Sequence, residues 1–211
     1  MTHSLTPQDH LALANRIRAA EAATRGEIYC VVARASGRYF FPAAFMLATG
    51  VMVASVAVAL WLDRSWFAVG HLGFVLCQLA ALAAALLVLR FTPGLAIRLA
   101  PRRLRYRRAH DNAVRQFLAH NVHLTEKRTG ILIFVSLAER YATVIADAGI
   151  DDQVAQGDWD AIVARIVAAA EAGRLTEGLA DGIDKAGALL AQHFPGGVRN
   201  PNELDDHVVE I

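Results

Sequence analysis

The residues of this chain that could bind a metal ion are three aspartates that follow a predicted strand. Asp147, Asp151 and Asp152 stand just after the apolar run 141–146, where a strand would give way to a loop. Hard cations such as Ca²⁺ take about six to eight oxygen ligands, which carboxylates, loop carbonyls and water can supply. The spacing does not match an EF-hand loop, and acidic residues at such a turn also act as helix caps or solvated surface. Capping is the default interpretation, and calcium binding at these aspartates is the alternative.

Other residue types that perform catalysis lack the partners that they need. The position six residues after Cys30 is Ser36, so the Cys and Arg spacing of a cysteine phosphatase loop is missing. We find no Asp-x-Asp-x-Thr motif and no G-x-x-x-x-G-K loop for nucleotide phosphates. Three histidines, at positions 110, 120 and 123, have no carboxylate or cysteine at ligand spacing, which favours surface roles. Cys30 and Cys77 do not form a disulfide framework and are expected to be buried thiols.

Two apolar runs lie between the aspartates and the start of the chain. From Phe40 to Leu89 the only charged residues are Asp63 and Arg64, which divide the run into segments 41–62 and 66–89. At a rise of about 1.5 Å per residue each segment would span about 33–36 Å, against about 30 Å for the hydrocarbon core of a bilayer. The pattern predicts a transmembrane hairpin over residues 39–92. About forty domain-like residues precede the first segment, so we expect no cleaved signal peptide.

Arginines on both flanks of the hairpin predict its orientation. Residues 90–108 contain seven arginines and no acidic residue, and Arg34 and Arg38 precede the first segment. Since basic residues near span ends stay in the cytoplasm, both termini are expected on the cytoplasmic side of a bacterial inner membrane. The position beside a span favours anionic lipid head groups over nucleic acid as the contact. The arginines expected to make it are Arg98, Arg102, Arg103, Arg105, Arg107 and Arg108.

Small residues in the two spans predict close helix packing. Gly50 in the first span and Gly73 in the second are examples. Small side chains let helix backbones approach, so the spans are expected to pack on each other, on a second copy, or on a membrane protein partner. The spans hold no buried charge, which disfavours a transporter or channel.

Alternating helix and strand patterns flank the hairpin. Thr6-Pro7-Gln8-Asp9 has the order of a capped helix start, and the β-branched run 27–34 predicts a strand. The nearly continuous apolar run 131–137 is typical of a strand buried on both faces, and 141–146 would pair with it as a hairpin. Helices are expected over 109–121, over 158–171 with Asp158 as cap, and over 176–192 with Thr176 as cap.

These elements predict one α/β domain that the hairpin interrupts. Residues 1–38 offer one helix and one strand, too little to bury a core alone. We therefore expect them to fold with residues 109–195, leaving 93–108 as a basic juxtamembrane segment and 196–211 as an irregular tail.

The chain resembles the TPM domain family in its bacterial membrane-anchored form. The resemblance rests on the helix opened by Thr6-Pro7 before Gly26-Glu27-Ile28, and on motifs of the second half: Arg128-Thr129-Gly130 through Glu139-Arg140, Ala146-Asp147-Ala148-Gly149-Ile150, Trp159, Gly173-Arg174 with Glu177-Gly178-Leu179, and His193-Phe194-Pro195. The resemblance implies an α/β sandwich with a small central sheet and helices on both faces.

The activity that the resemblance implies is less uniform. Some members of the family look like acid phosphatases, some bind calcium, and others are accessory factors of membrane protein complexes. Many soluble members carry a Gly-Tyr-Gly-x-Glu loop, where this chain has Asp147-Ala148-Gly149-Ile150-Asp151 without the tyrosine or the matching acid. The leading hypothesis is a non-catalytic interaction or accessory factor. The alternative is a metal-dependent acid phosphatase that uses Asp147, Asp151 and Asp152.

Overall fold

The computed structural model describes residues 5–66, 70–125, 127–151, 153–196, 204 and 206–211. Over this part of the chain the elements in chain order are α1 (Pro7–Glu21), β1 (Glu27–Ala33), α2 (Phe40–Asp63), α3 (His71–Phe91), α4 (Pro93–Leu99), α5 (Arg102–Ala119), a 3₁₀ helix (Val122–Leu124), β2 (Gly130–Ser136), β3 (Tyr141–Ala146), α6 (Ala148–Asp151), α7 (Gln156–Glu171), α8 (Leu175–His193) and β4 (Val208–Glu210). They form two compact units, one of Met1–Ser36 with Tyr106–Ile211 and one of Gly37–Arg105.

A mixed sheet of four strands is the centre of the first unit. The strand order is β3-β2-β1-β4, with β1 parallel to both β2 and β4 and with β3 antiparallel to β2. Every residue of β1 and β2 is buried, as the apolar run predicted for β2. The predicted hairpin of β2 and β3 is confirmed.

Helices cover both faces of the sheet, which confirms the predicted fold class. On one face α1, α7 and α8 enclose the larger core, which includes Ile17, Ile166 and Ile183. On the other face α5 packs Ala113 and Phe117 against the strands. Trp159 is 2% exposed and lies in the larger core, as expected of an aromatic residue in the first turn of an amphipathic helix.

The start of α1 has the predicted cap. The Thr6 hydroxyl accepts a hydrogen bond from the Asp9 N–H at 3.2 Å, and the Asp9 carboxylate accepts one from the Thr6 N–H at 2.8 Å. This reciprocal pair satisfies two of the backbone donors that a helix leaves open at its first turn.

The second unit contains the two apolar helices. With 24 and 21 residues, α2 and α3 are long and apolar enough to cross a membrane, and most of their large side chains are exposed. A small cluster that includes Tyr39, Ala43 and Leu89 packs them with α4. Thr92 separates α3 from α4, which begins at Pro93, since proline begins a helix but cannot continue one. The expected second span, 66–89, starts before α3 does, and residues 67–69 lie outside the described part.

The expectation of an irregular C-terminal tail is corrected. Residues 196–211 were expected to be irregular, but Val208–Glu210 form β4, because β1 offers a free edge for backbone hydrogen bonds. Residues 93–108, for which a basic juxtamembrane segment was predicted, contain α4 and the start of α5, which begins at Arg102 and continues to Ala119.

The predicted caps of the last two helices are also wrong. The residues at the cap positions of α7 and α8 are Ala155 and Arg174, and neither makes a side-chain cap hydrogen bond. Asp158 lies inside the first turn of α7, where its charge still faces the positive end of the helix dipole. Thr176 is likewise the second residue of α8 rather than its cap.

Candidate functional site

Asp147 directly follows β3, and only one oxygen of its buried carboxylate has a hydrogen-bond partner among the described residues. Its N–H donates to the Gly130 carbonyl at 2.9 Å. Its own carbonyl accepts hydrogen bonds from the N–H groups of Ile150 and Asp151, and these bonds stabilise the short helix α6. One carboxylate oxygen, Oδ1, accepts from the Ala148 N–H at 2.7 Å. The other, Oδ2, is buried without a hydrogen-bond partner among the described residues. A buried anionic oxygen of this kind is costly unless a cation or a donor reaches it.

Two backbone carbonyl oxygens lie close to the turn that follows Asp147. A Cβ atom added to Gly149 would lie 2.6 Å from the Arg128 carbonyl oxygen and 2.8 Å from that of Lys127. Arg128 has a φ of 55°, a left-handed conformation that non-glycine residues rarely adopt. The loop before β2 and the turn after β3 are therefore in close contact where β2 begins and β3 ends.

The remaining predicted ligands are less well placed or undescribed. Asp151 is exposed at the end of α6, and Asp152 lies outside the described residues. Asp158 and Asp160, which were not among the predicted ligands, are exposed on α7. Within the described ranges no group of three or more histidine, cysteine, aspartate or glutamate side chains is placed to hold a metal ion. The calcium site of Asp147, Asp151 and Asp152 stays a prediction.

A second buried polar centre lies at the opposite ends of β1 and β2 and was missed by the sequence analysis. Glu139, which is 1% exposed, accepts hydrogen bonds from the Ser36 N–H at 2.9 Å and from the Ser136 hydroxyl at 2.5 Å. The hydroxyls of Ser36 and Ser136 are 2.8 Å apart, and the Asn112 amide donates to Ser36 at 3.3 Å. Since both Glu139 oxygens accept protein hydrogen bonds, the cluster fastens the end of β1 to the turn after β2.

A third group contains carboxyl groups at the other end of β1. Glu21 Oε1 accepts from the Ile28 N–H at 2.7 Å. Burial, together with the neighbouring carboxyl groups of Glu27 and Asp206, raises the pKa of Glu21 to about 9. Glu21 is therefore a neutral acid at pH values where an exposed glutamate is charged.

The same carboxyl groups hold the C-terminal segment. Glu27 Oε2 accepts from the Leu204 N–H at 3.3 Å, and Arg18 Nε donates to Asp206 Oδ2 at 3.1 Å. Further along, Glu210 Oε1 accepts from the Leu5 N–H at 2.8 Å. These contacts connect residues that are almost a whole chain length apart in sequence, which places the group in a structural role.

The three histidines lie in different surroundings. His120 Nδ1 lies 2.9 Å from the Tyr29 hydroxyl, and the two rings stack. Burial lowers the pKa of His120, and the charge of His207 lowers it further. His110 Nδ1 lies 3.3 Å from the Tyr141 hydroxyl, whereas His123 belongs to the separate 3₁₀ helix.

The two cysteines differ in exposure. Cys30 is buried in β1, and burial raises the pKa of its thiol to about 12, so it is unreactive near neutral pH. Cys77 is exposed on α3, which corrects the expectation of a second thiol buried within the protein.

Comparisons with known proteins give one family and one fold. The family model described as the TPM domain matches residues 95–189, which begin after the apolar helices. None of the curated proteins matches the chain. A solved structure, the NMR structure of the BA42 protein from the psychrophilic bacterium Bizionia argentinensis, is similar with a TM-score of 0.61 and 20% sequence identity. That comparison covers 100% of this chain and 98% of BA42, and it supports the fold alone.

Proposed function

We propose that this chain, whose residues 95–189 match the TPM domain family model, is a membrane-anchored accessory protein. Its α/β unit would bind a partner at the cytoplasmic face of the inner membrane without catalysing a reaction. The observation that carries this proposal is the pair α2 and α3, which expose large apolar side chains over 24 and 21 residues. Exposure of so much apolar surface to water is energetically unfavourable, whereas the hydrocarbon core of a lipid bilayer solvates it.

The cytoplasmic orientation rests on charge. Seven arginines and no acidic residue occupy positions 90–108, directly after α3. A basic segment of this kind is retained on the cytoplasmic side and attracts anionic head groups. We propose contacts to those head groups at Arg98, Arg102, Arg103, Arg105, Arg107 and Arg108.

A binding role, rather than catalysis, is supported by how the buried carboxyl groups are used. Glu139 fastens the end of β1, and Glu21 accepts a backbone hydrogen bond, so both serve the fold. The turn Asp147-Ala148-Gly149-Ile150-Asp151 lacks the tyrosine and the acid of the loop found in many soluble relatives. These features favour a domain that keeps the family fold while presenting a surface to another protein.

Co-purification from gently solubilised membranes tests this function. With the full chain as bait, we expect a membrane protein to be recovered in constant proportion. A chain that consists of residues 37–105 is the control, and it should not recover that protein, because the α/β unit is absent. Recovery of the same protein by both baits would contradict a binding role for the α/β unit.

Cation binding at Asp147, with metal-dependent phosphatase activity, is the second candidate. It is favoured by the buried Oδ2 of Asp147, which lacks a hydrogen-bond partner among the described residues. Calcium titration of the purified chain should then show binding that Asp147→Asn abolishes, while Asp158→Asn, at an exposed carboxylate on α7, retains it. Phosphomonoester turnover that is lost when Asp147, Asp151 and Asp152 become asparagine would overturn the accessory function in favour of catalysis.

A further inference from the structure

The outer side of α5 combines arginines with exposed apolar residues. Residues Ala109, Asn112, Ala113 and Phe117 face the protein interior, which leaves the opposite side of the helix to solvent. That side, the α5 stripe, consists of Arg107, Asp111, Val114, Arg115 and Leu118, spaced three and four residues apart. Val114 is 37% exposed and Leu118 is 52% exposed. Leu124, in the following 3₁₀ helix, is 65% exposed.

The charge of α5 indicates what could cover this stripe. Of its six arginines, Arg107 and Arg115 lie on the stripe, which also contains Asp111, the one acidic residue of the helix. A helix that carries arginines and large apolar side chains on one exposed side binds at the head-group region of a bilayer, where lipid phosphates attract the arginines. A second copy of the chain would set this basic surface against an identical one, and like charges oppose that contact.

We propose that the α5 stripe binds the surface of an anionic lipid bilayer, with Val114 and Leu118 entering the head-group region. The proposal rests on the proposed function, because α2 and α3 would hold the α/β unit at the membrane. It adds that Val114, Arg115 and Leu118 extend the lipid contact beyond the arginines that directly follow α3. Tethering makes even a weak lipid contact effective, since the local concentration of lipid is high.

Leu11 offers a matched control for Leu118. It is 68% exposed on α1, and α1 covers the other face of the sheet. No arginine lies within four residues of it on either side. An exposed leucine without neighbouring positive charge should therefore stay in water.

The test uses the full chain reconstituted into vesicles. In a Cys77→Ser background, Leu118→Cys or Leu11→Cys carries an environment-sensitive fluorophore, while Cys30 is buried. The vesicles contain phosphatidylcholine, with or without phosphatidylglycerol, and a nitroxide-labelled lipid as quencher. In phosphatidylglycerol vesicles we expect strong quenching at position 118 and little at position 11. Replacing Arg107 or Arg115 with glutamine should lower the ratio of quenched to unquenched probe about fivefold for each arginine.

Three outcomes would overturn the proposal. Equal quenching at positions 118 and 11 would show that the stripe does not contact lipid. Quenching at position 118 that is unchanged without phosphatidylglycerol would remove the role of charge. An apolar emission spectrum of the probe at position 118 without quenching by the nitroxide-labelled lipid would assign the stripe to a protein contact. Flotation of the chain with the vesicles tests the anchor separately: a chain that floats but leaves position 118 unquenched overturns only the stripe, whereas a chain that does not float contradicts the proposed function as well.

Discussion

Glu21 and Asp147 are both buried carboxyl groups, yet their different surroundings give them different chemical properties. Glu21 has two carboxyl neighbours, Glu27 and Asp206, and its pKa is raised to about 9. Asp147 instead has one oxygen held by a backbone N–H and one without a partner among the described residues. The first arrangement makes stability depend on pH, and the second offers an oxygen to a cation.

Glu21 predicts a loss of stability as the pH rises. The folded chain keeps the Glu21 proton up to about pH 9, while the unfolded chain loses it near the ordinary value of 4.5. The unfolded state therefore binds fewer protons between these values, and the free energy of unfolding falls with rising pH. Glu21→Gln keeps an acceptor for the Ile28 N–H and removes this titration. Between about pH 5 and pH 8 the variant should gain on the order of 2 kcal/mol relative to the native chain.

Thermal unfolding in detergent solution across this pH range checks the Glu21 prediction. Glu177→Gln, which alters an exposed carboxylate, serves as the control and should follow the native curve. Parallel curves for the native chain and Glu21→Gln would show that the buried acid does not set this pH dependence.

Gly149 predicts a steric effect beside Asp147. In Gly149→Ala the new methyl group would meet the Arg128 and Lys127 carbonyl oxygens at 2.6 and 2.8 Å, so the backbone of one loop must move. We expect a loss of about 1–3 kcal/mol in unfolding free energy. Gly157→Ala, where no atom lies within 4 Å, should be neutral or slightly stabilising. Equal thermal midpoints for the two variants would mean that the loops are not in close contact.

Some single residues could be predicted from sequence and others could not. The cap at Thr6 follows from a local pattern, and the structure confirms it. Glu139 and Glu21 were missed because their burial depends on partners distant in sequence: Ser36 lies 103 positions from Glu139. Charged residues are normally exposed, so no local pattern marks those that a fold encloses.

At the scale of elements, the short edge strand β4 is the main departure from the prediction. It pairs with Cys30, Val31 and Val32 of β1, although almost the whole sequence lies between the two strands. Three residues give no periodic pattern, so neither its existence nor its partner could be predicted from sequence. The longer strands and helices were predicted from their patterns of apolar residues. The cap positions of α7 and α8 were not predicted, because no side chain caps these helices.

Val208 predicts how much β4 contributes to stability. It is 3% exposed and belongs to the larger core, so Val208→Ala should cost about 1–3 kcal/mol of unfolding free energy. Ile211 is 43% exposed, and Ile211→Ala should change stability by less than about 0.5 kcal/mol. Chemical denaturation of both variants in detergent measures the difference. If Val208→Ala is as mild as Ile211→Ala, β4 does not contribute to the core.

At the scale of the whole molecule, the two compact units suggest that the α/β unit can fold without the apolar helices. Ser36 and Asn112 are joined by a 3.3 Å hydrogen bond, and Tyr106 precedes Asn112 on the same helix by six residues, or about 9 Å along its axis. A linker of about six glycine and serine residues, which can reach about 20 Å, should therefore replace residues 37–105 without strain.

The linker variant should be water-soluble and folded, because the sheet and both of its helix layers remain. Its amide proton spectrum should be well dispersed, and its thermal unfolding should be cooperative. An aggregated product, or one without cooperative unfolding, would show that the α/β unit needs residues 37–105 to fold.

Anchoring by α2 and α3 is the claim on which the proposed function depends, and alkaline extraction of membranes tests it most directly. High pH releases proteins that are attached through charge or through other proteins, but it leaves membrane-spanning helices in the bilayer. We expect the full chain to stay entirely in the membrane pellet and the linker variant to be soluble. Release of the full chain at alkaline pH would contradict the account.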